Sequence, residues 1–360
     1  MPSPSIARLG AALLAASLLV GCSAMTPWNR ANKKIAQLYY YGHYAEAVEE
    51  AKKALTYAEK TFGSGHQHVA TALSNLVYLY SILGQYQKSK ELLLRALKIK
   101  EKELGPDHVT VGLILTHLSE IYRYEGQYAQ AEPYGMQGLL ILLNKLPSDH
   151  PKLLEALNNL AYIYDAQKKY EQAEELYQKA LTIGEELYGA DHPGLGPYLS
   201  NLEMVYRRSG KIKQAIEISK RKLALQAKQA GPGQRDYVQS LINLADLYRS
   251  EGRLTEAESL LKQALELDET KLGKTHLRVA MDLYNLADLY ADDRRFSEAE
   301  TLMRRALAIY ERTDTPRNPY WIKTMTKYAA LLRETGREED ARNVDLHLKQ
   351  GTFLNGNKPR

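Results

Sequence analysis

The 360-residue chain is poor in several residue types. A single cysteine, Cys22, excludes an intramolecular disulfide and any metal site built from several thiolates. Only 3 Phe and 2 Trp stand against 26 Tyr, so most rings carry a hydroxyl able to reach water or a polar neighbour. The formal charge is only +5, with Lys and Arg interleaved among Asp and Glu, and nothing calls for a nucleic-acid partner. No Gly-x-Ser-x-Gly stretch and no Gly-rich loop before Lys-Ser or Lys-Thr occurs. The sequence therefore predicts a non-enzyme without cofactor or small-molecule substrate. One apolar run exists, from Leu9 to Val20, too short to span a bilayer comfortably as a permanent helix. With charged residues at 25% and hydrophobic ones at 44%, the remainder is of ordinary globular composition.

What is present is a period. Rows of 42 residues align the chain without insertion or deletion. Gly42, Gly84, Gly126, Gly210, Gly252 and Gly336 share one column, with Lys168 and Arg294 as exceptions. Small residues fill another from Ala47 to Ala341, with Ser89 among them, and leucines a third from Leu55 to Leu307. Tyr80, Tyr122, Tyr164, Tyr206, Tyr248 and Tyr290 form a fourth. Eight units follow.

Each unit reads as two amphipathic helices. In the fourth, Leu157, Leu160, Ala161 and Tyr164 stand at helical spacing, as do Ala173, Tyr177, Ala180 and Leu181 after a break at "AQKKY". Gly in the equivalent breaks suits a left-handed helix end, and the small-residue column allows the paired helices to approach closely. In the third unit, Pro133, Gly135 and Gly138 predict a kink or an unusually close neighbour in the second helix. In the fifth, Lys222 replaces a small residue within a basic segment read as a solvated face.

The unit "LNNLAYIYDAQKKYEQAEELYQKALTIGEELYGADHP" resembles a tetratricopeptide repeat (TPR) of the long kinesin-light-chain type. The resemblance covers roughly Ala31 to Leu348. It implies an all-α, right-handed superhelical solenoid of about eight helix-turn-helix units, and a binding scaffold in place of a catalyst. His66, His108, His150, His192 and His276 recur in the loops between units. Equivalent residues of stacked units lie about 10 Å apart, whereas zinc ligands sit about 2 Å from a shared ion. These histidines are expected to be structural.

The first residues carry Arg8, the apolar stretch and then "LVGC" at 19–22, the layout of a secretory signal. That tetrapeptide resembles the bacterial lipobox, which implies that the mature chain starts at a lipidated Cys22, after a signal peptide of residues 1–21. Ser23 in place of Asp points to the outer membrane, with the protein anchored there by lipid and facing the periplasm. Residues 22–30 form a short tether, 31–348 the solenoid and 349–360 a polar tail. Trp28 suits either the membrane interface or a cap on the first helix.

A last column holds Asn75, Asn159, Asn201, Asn243 and Asn285. At about 100° per residue, Asn159 points roughly 150° away from the apolar stripe of its own helix. In solenoids of the resembled family that face lines a concave groove, where Asn offers donor and acceptor to a peptide backbone. A hydrogen-bond ladder between successive first helices is the other reading of this column, and the two can coexist. Arg123, Arg207, Arg208, Arg249 and Arg333 share the face with Asp165, Asp246, Asp288 and Asp292. The basic part at Arg207, Arg208 and Arg249 suits a protein or peptide partner of acidic character. The expected function is a lipid-anchored envelope scaffold. A component of a pilus, secretion or polysaccharide-export machine is an alternative, as is a cytoplasmic regulatory module if the lipobox is accidental.

Overall fold

The computed structural model describes residues 26–230, 235–313, 318–352 and 354. Cys22 and the expected lipobox lie outside them. Among the described residues there are sixteen α-helices, and one short 3-10 turn, Pro193–Leu195. They divide into two compact units, Met1–Ala190 and Asp191–Arg360. The first holds α1 Pro27–Tyr40, α2 Tyr44–Phe62, α3 Gln67–Ile82, α4 Tyr86–Leu104, α5 Val109–Tyr124, α6 Tyr128–Lys145, α7 Pro151–Ala166 and α8 Tyr170–Tyr188. The second holds α9 Gly196–Arg208, α10 Ile212–Ala230, α11 Arg235–Ser250, α12 Leu254–Leu272, α13 Leu277–Asp292, α14 Phe296–Arg312, α15 Pro319–Glu334 and α16 Glu338–Gln350. Each unit is thus a stack of four helix pairs, eight in all, and the fold is all-α as expected. The helices begin at Pro27 and end at Gln350, slightly outside the expected 31–348.

The break inside each pair is closed by a left-handed residue. Gly84 and Gly126 have φ of 69° and 73°, and Lys168 and Arg294 take φ of 63° and 58° at the same column. A non-glycine residue pays roughly 1–2 kcal/mol for that conformation, so the two exceptions keep the geometry at a cost. The small-residue column is buried: Ala47, Ala131, Ala173, Ala215, Ala257, Ala299 and Ala341 are all inaccessible. The close approach expected in the third pair is present, and α6 continues through Pro133. A Cβ on Gly138 would sit 2.9 Å from the Gly112 carbonyl oxygen of α5.

The histidines between pairs cap the next helix. The Nδ1 atoms of His66, His108, His150, His192 and His276 accept from the backbone N–H two residues on, at 3.0 to 3.1 Å. Asn318 does the same in the eighth pair, accepting from Tyr320 N–H at 2.9 Å. Each ring satisfies a helix N–H that would otherwise be orphaned.

The tyrosine column acquires its meaning from charge. Apart from the half-buried Tyr122 its rings pack in the core, and in three pairs a cation at the start of the following helix lies over the ring. Lys169 lies over Tyr164, Arg253 over Tyr248 and Arg295 over Tyr290, at 5.4, 4.3 and 3.9 Å from the ring centroids. The same column of cations bridges pairs: Lys169 to Glu132, Arg295 to Glu258 and Arg337 to Glu300. Trp28 packs as a cap, stacked on His68 at 4.6 Å and 8% exposed.

In the fifth pair the basic segment departs from its expected solvated character at one residue. Lys222 is 6% exposed and ion-paired with Glu203 of α9, itself 4% exposed. The equivalent positions in the fourth pair are Ala180 and Ala161. An ammonium stays in this interior because a carboxylate replaces the facing small residue.

Candidate partner-binding face

The candidate face is built by the first helices of successive pairs, which touch one another directly within each unit. Asn159 of α7 donates from Nδ2 to Ser119 Oγ of α5 at 3.1 Å. Arg123 of α5 donates from Nε to Asn159 Oδ1 at 2.7 Å. Asn75 of α3 likewise donates to Asn32 Oδ1 of α1 at 3.1 Å. Both asparagines are 7% exposed. At these two positions the column is a ladder between first helices, and their amides are occupied by neighbours. Asn201, Asn243 and Asn285 are half-buried; Asn243 accepts from Gln239 at 3.0 Å.

The arginines separate in the same way. Arg123 is half-buried, with its Glu120 neighbour at 3.5 Å. Arg207 and Arg208 are exposed. Arg249 is engaged with two acids of α13: its Nη1 donates to Asp288 Oδ2 and its Nε to Asp292 Oδ2, each at 2.7 Å. Lys327 of α15 reaches the same acids, 2.6 Å from Asp288 and 3.4 Å from Asp292. Two cations and two anions thus cancel across α11, α13 and α15, so Arg249 does not add free charge to the expected basic patch. Burial disfavours the Asp288 charge, but hydrogen bonds from Lys327 and Arg249 overcome it and hold the carboxyl below its ordinary range. Asp246 shifts the other way: burial raises it, and Arg207 and Arg249 compensate only in part. Arg333, on the same face, pairs with Glu338 and Asp345.

Sequence reasoning gave the direction of the asparagines relative to their own helix. It missed that the next first helix covers that flank. The available signal was the run of hydroxyls and amides at neighbouring columns, Asn32, Thr116 and Ser119, all buried. Among the described residues, no group of three or more His, Cys, Asp or Glu is arranged to hold a metal, and no helix is long and apolar enough to cross a membrane.

Repeated helix pairs with a polar first-helix face and a cemented interior define a helical-repeat scaffold. The tetratricopeptide repeat model TPR_12 matches residues 31–102, 68–143, 152–228, 236–312 and 283–345. The chain belongs to the tetratricopeptide repeat family, whose members are protein- and peptide-binding scaffolds. It is similar in structure to the nearly identical TPR-like repeats of a Podosopora anserina protein assigned as a kinesin light chain, with 26% identity and a TM-score of 0.52 over 57% of this chain and 98% of the other. BtubC (BKLC) of P. vanneervenii shares the fold at 24% identity and a TM-score of 0.52, over 69% and 93% of the two chains. The apo form of RapI shares it at 16% identity and a TM-score of 0.52, over 80% and 99%. No curated protein matches the chain.

Proposed function

We propose that the protein is a lipid-anchored scaffold of the bacterial envelope. It would hold a protein or peptide partner on its first-helix face and support assembly of an envelope complex. The observation that carries the anchoring is "LVGC", with the sole cysteine of the chain where acylation requires it. Only the tetrapeptide "SAMT", residues 23–26, separates Cys22 from α1, a reach from Cys22 to Pro27 of at most about 18 Å. The first helix pair would then lie against the membrane. The binding role is supported by family membership together with the half-buried Asn201, Asn243 and Asn285 beside exposed Arg207 and Arg208.

The test combines two variants. Cys22→Ser followed by cell fractionation should release the protein from the outer membrane, and retention would refute the anchor. An Asn201→Ala, Asn243→Ala, Asn285→Ala variant with unchanged circular dichroism should lose a specific partner in cross-linking pull-downs from envelope fractions. An unchanged partner set would move the binding site off this face.

A further inference from the structure

The first-helix face changes chemistry between the two units at the same columns. At the columns of Arg249, Asp288 and Asp292 the first unit keeps Arg123 and Glu120 but adds Tyr39, Tyr78, Tyr162 and Tyr124, and the second has no tyrosine there. A further column, the first residue of each second helix, adds Tyr44, Tyr86 and Tyr128. These rings meet in pairs across helices. Tyr39 lies 5.7 Å from Tyr44 and 5.4 Å from Tyr78. Tyr86 stacks on Tyr124 at 5.7 Å with planes 12° apart, and Tyr128 lies 6.5 Å from Tyr162. Arg123 links two of these groups, its guanidinium over Tyr124 at 4.2 Å and over Tyr162 at 4.9 Å. Most of the rings are half-exposed, and Tyr162 is 37% exposed.

From this array we infer that the first unit binds a proline-rich segment in the polyproline II conformation, with proline at about every third residue. The inference rests on the scaffold reading and names a partner class for it. Three features favour this occupant. The first is spacing: adjoining first helices pack about 8–10 Å apart, and one polyproline turn of three residues advances about 9.3 Å. Each helix pair thus meets the ligand at the same phase. The second is shape, because paired aromatic rings form the slots into which proline rings pack in aromatic-lined peptide grooves. The third is hydrogen bonding. The array presents mainly ring faces, because its polar groups are engaged with one another: the Tyr39 and Tyr78 hydroxyls bond each other at 2.6 Å, and Glu120 is taken by Arg123 and by the Tyr124 hydroxyl at 3.1 Å. Proline lacks an N–H and its extended helix leaves carbonyl oxygens unpaired. A ligand poor in donors, which packs through its rings, is the complement of such a face. The local charge agrees, since Arg123 is engaged by Glu120 and Asn159 and is not left to select an acidic chain.

The test uses the full chain and a dye-labelled peptide of about fifteen residues with proline at every third position. Its controls are a scrambled peptide of the same composition, an acidic peptide without proline and a soluble oligosaccharide. Fluorescence anisotropy should show the periodic peptide binding about tenfold more tightly than the scrambled one. Tyr162→Ala, which removes an exposed ring, and Tyr124→Ala should each weaken it by about tenfold with helicity unchanged, while Arg207→Ala should have no effect. Equal binding of periodic and scrambled peptides, insensitivity to Tyr162→Ala, or binding of the oligosaccharide alone would overturn the inference. Binding of only the acidic peptide would overturn it while leaving the scaffold reading standing; binding of none would count against both.

Discussion

Asp282 of α13 faces Asp268 of α12, and the two carboxyl groups, 3% and 1% exposed, share one buried site. Burial and the neighbouring Asp268 push Asp282 up to about 8, with Arg278, 3.0 Å from Asp268, only partly opposing the shift. The site also faces the buried Tyr310 hydroxyl, which the same surroundings push up. Between the ordinary aspartate range near pH 4 and about pH 8, the folded chain therefore retains a proton that the unfolded chain has released. This contribution to stability falls as pH rises through that window. Paired acids such as Asp288 act in the opposite direction, so the informative quantity is a difference. Asp282→Asn, which supplies a permanent donor to Asp268, should flatten the decline in melting temperature measured from about pH 5 to about pH 8. An unchanged slope would show that the pair does not share a proton.

Lys222→Ala should destabilise the second unit by about 3–5 kcal/mol in urea unfolding, because Glu203 is left charged and buried without a partner. Replacing both residues by alanine recreates the Ala161 and Ala180 arrangement of the fourth pair. The double variant should recover most of the loss. Additive losses would mean that the pair contributes packing alone.

Gly138→Ala should cost about 1–3 kcal/mol by overpacking the third pair. Its new Cβ would meet the Gly112 carbonyl and the Thr116 backbone nitrogen, each at 2.9 Å, and backbone cannot rotate away. Gly196→Ala is the contrast: a Cβ there meets no neighbouring helix, but the position is helical and precedes Pro197, whose ring disfavours that backbone for alanine, so any loss is local to the backbone. Thermal unfolding of the two variants side by side separates steric loss between helices from that local effect.

His150→Ala should lose about 1 kcal/mol by removing the α7 cap. His150→Asn should keep it, since Asn318 performs this task at the equivalent place. If both variants lose equally, the ring rather than its Nδ1 acceptor is what the position needs. Amide hydrogen exchange at Lys152 would read the cap directly.

The repeat, the helix pairs and the close approach in the third pair were legible because they depend on spacing along one chain. Gly42 and its column marked the turns, and Ala173 marked the contact between paired helices. The burial of Asn75 and Asn159 was not legible from the same periodicity. A helical wheel gives a direction relative to the residue's own pair, and only the stacking distance decides whether the next first helix fills it. Lys222 was misread for a related reason: alone it looks like a drifted surface cation. Its signal was joint, since Glu203 departs from a small-residue column in the same unit. Arg249 carried no comparable mark, because the acids that neutralise it stand on the next first helix.

The ion pair of the fifth unit has a meaning for the ancestry of the chain. Units of one length can be exchanged by recombination without disturbing the alternation of helices, and alanine facing alanine tolerates such shuffling. A crossover falling between Glu203 and Lys222 would instead bury one charge against an alanine. The fifth unit can be copied or lost only whole, which makes it a fixed address in an otherwise interchangeable array.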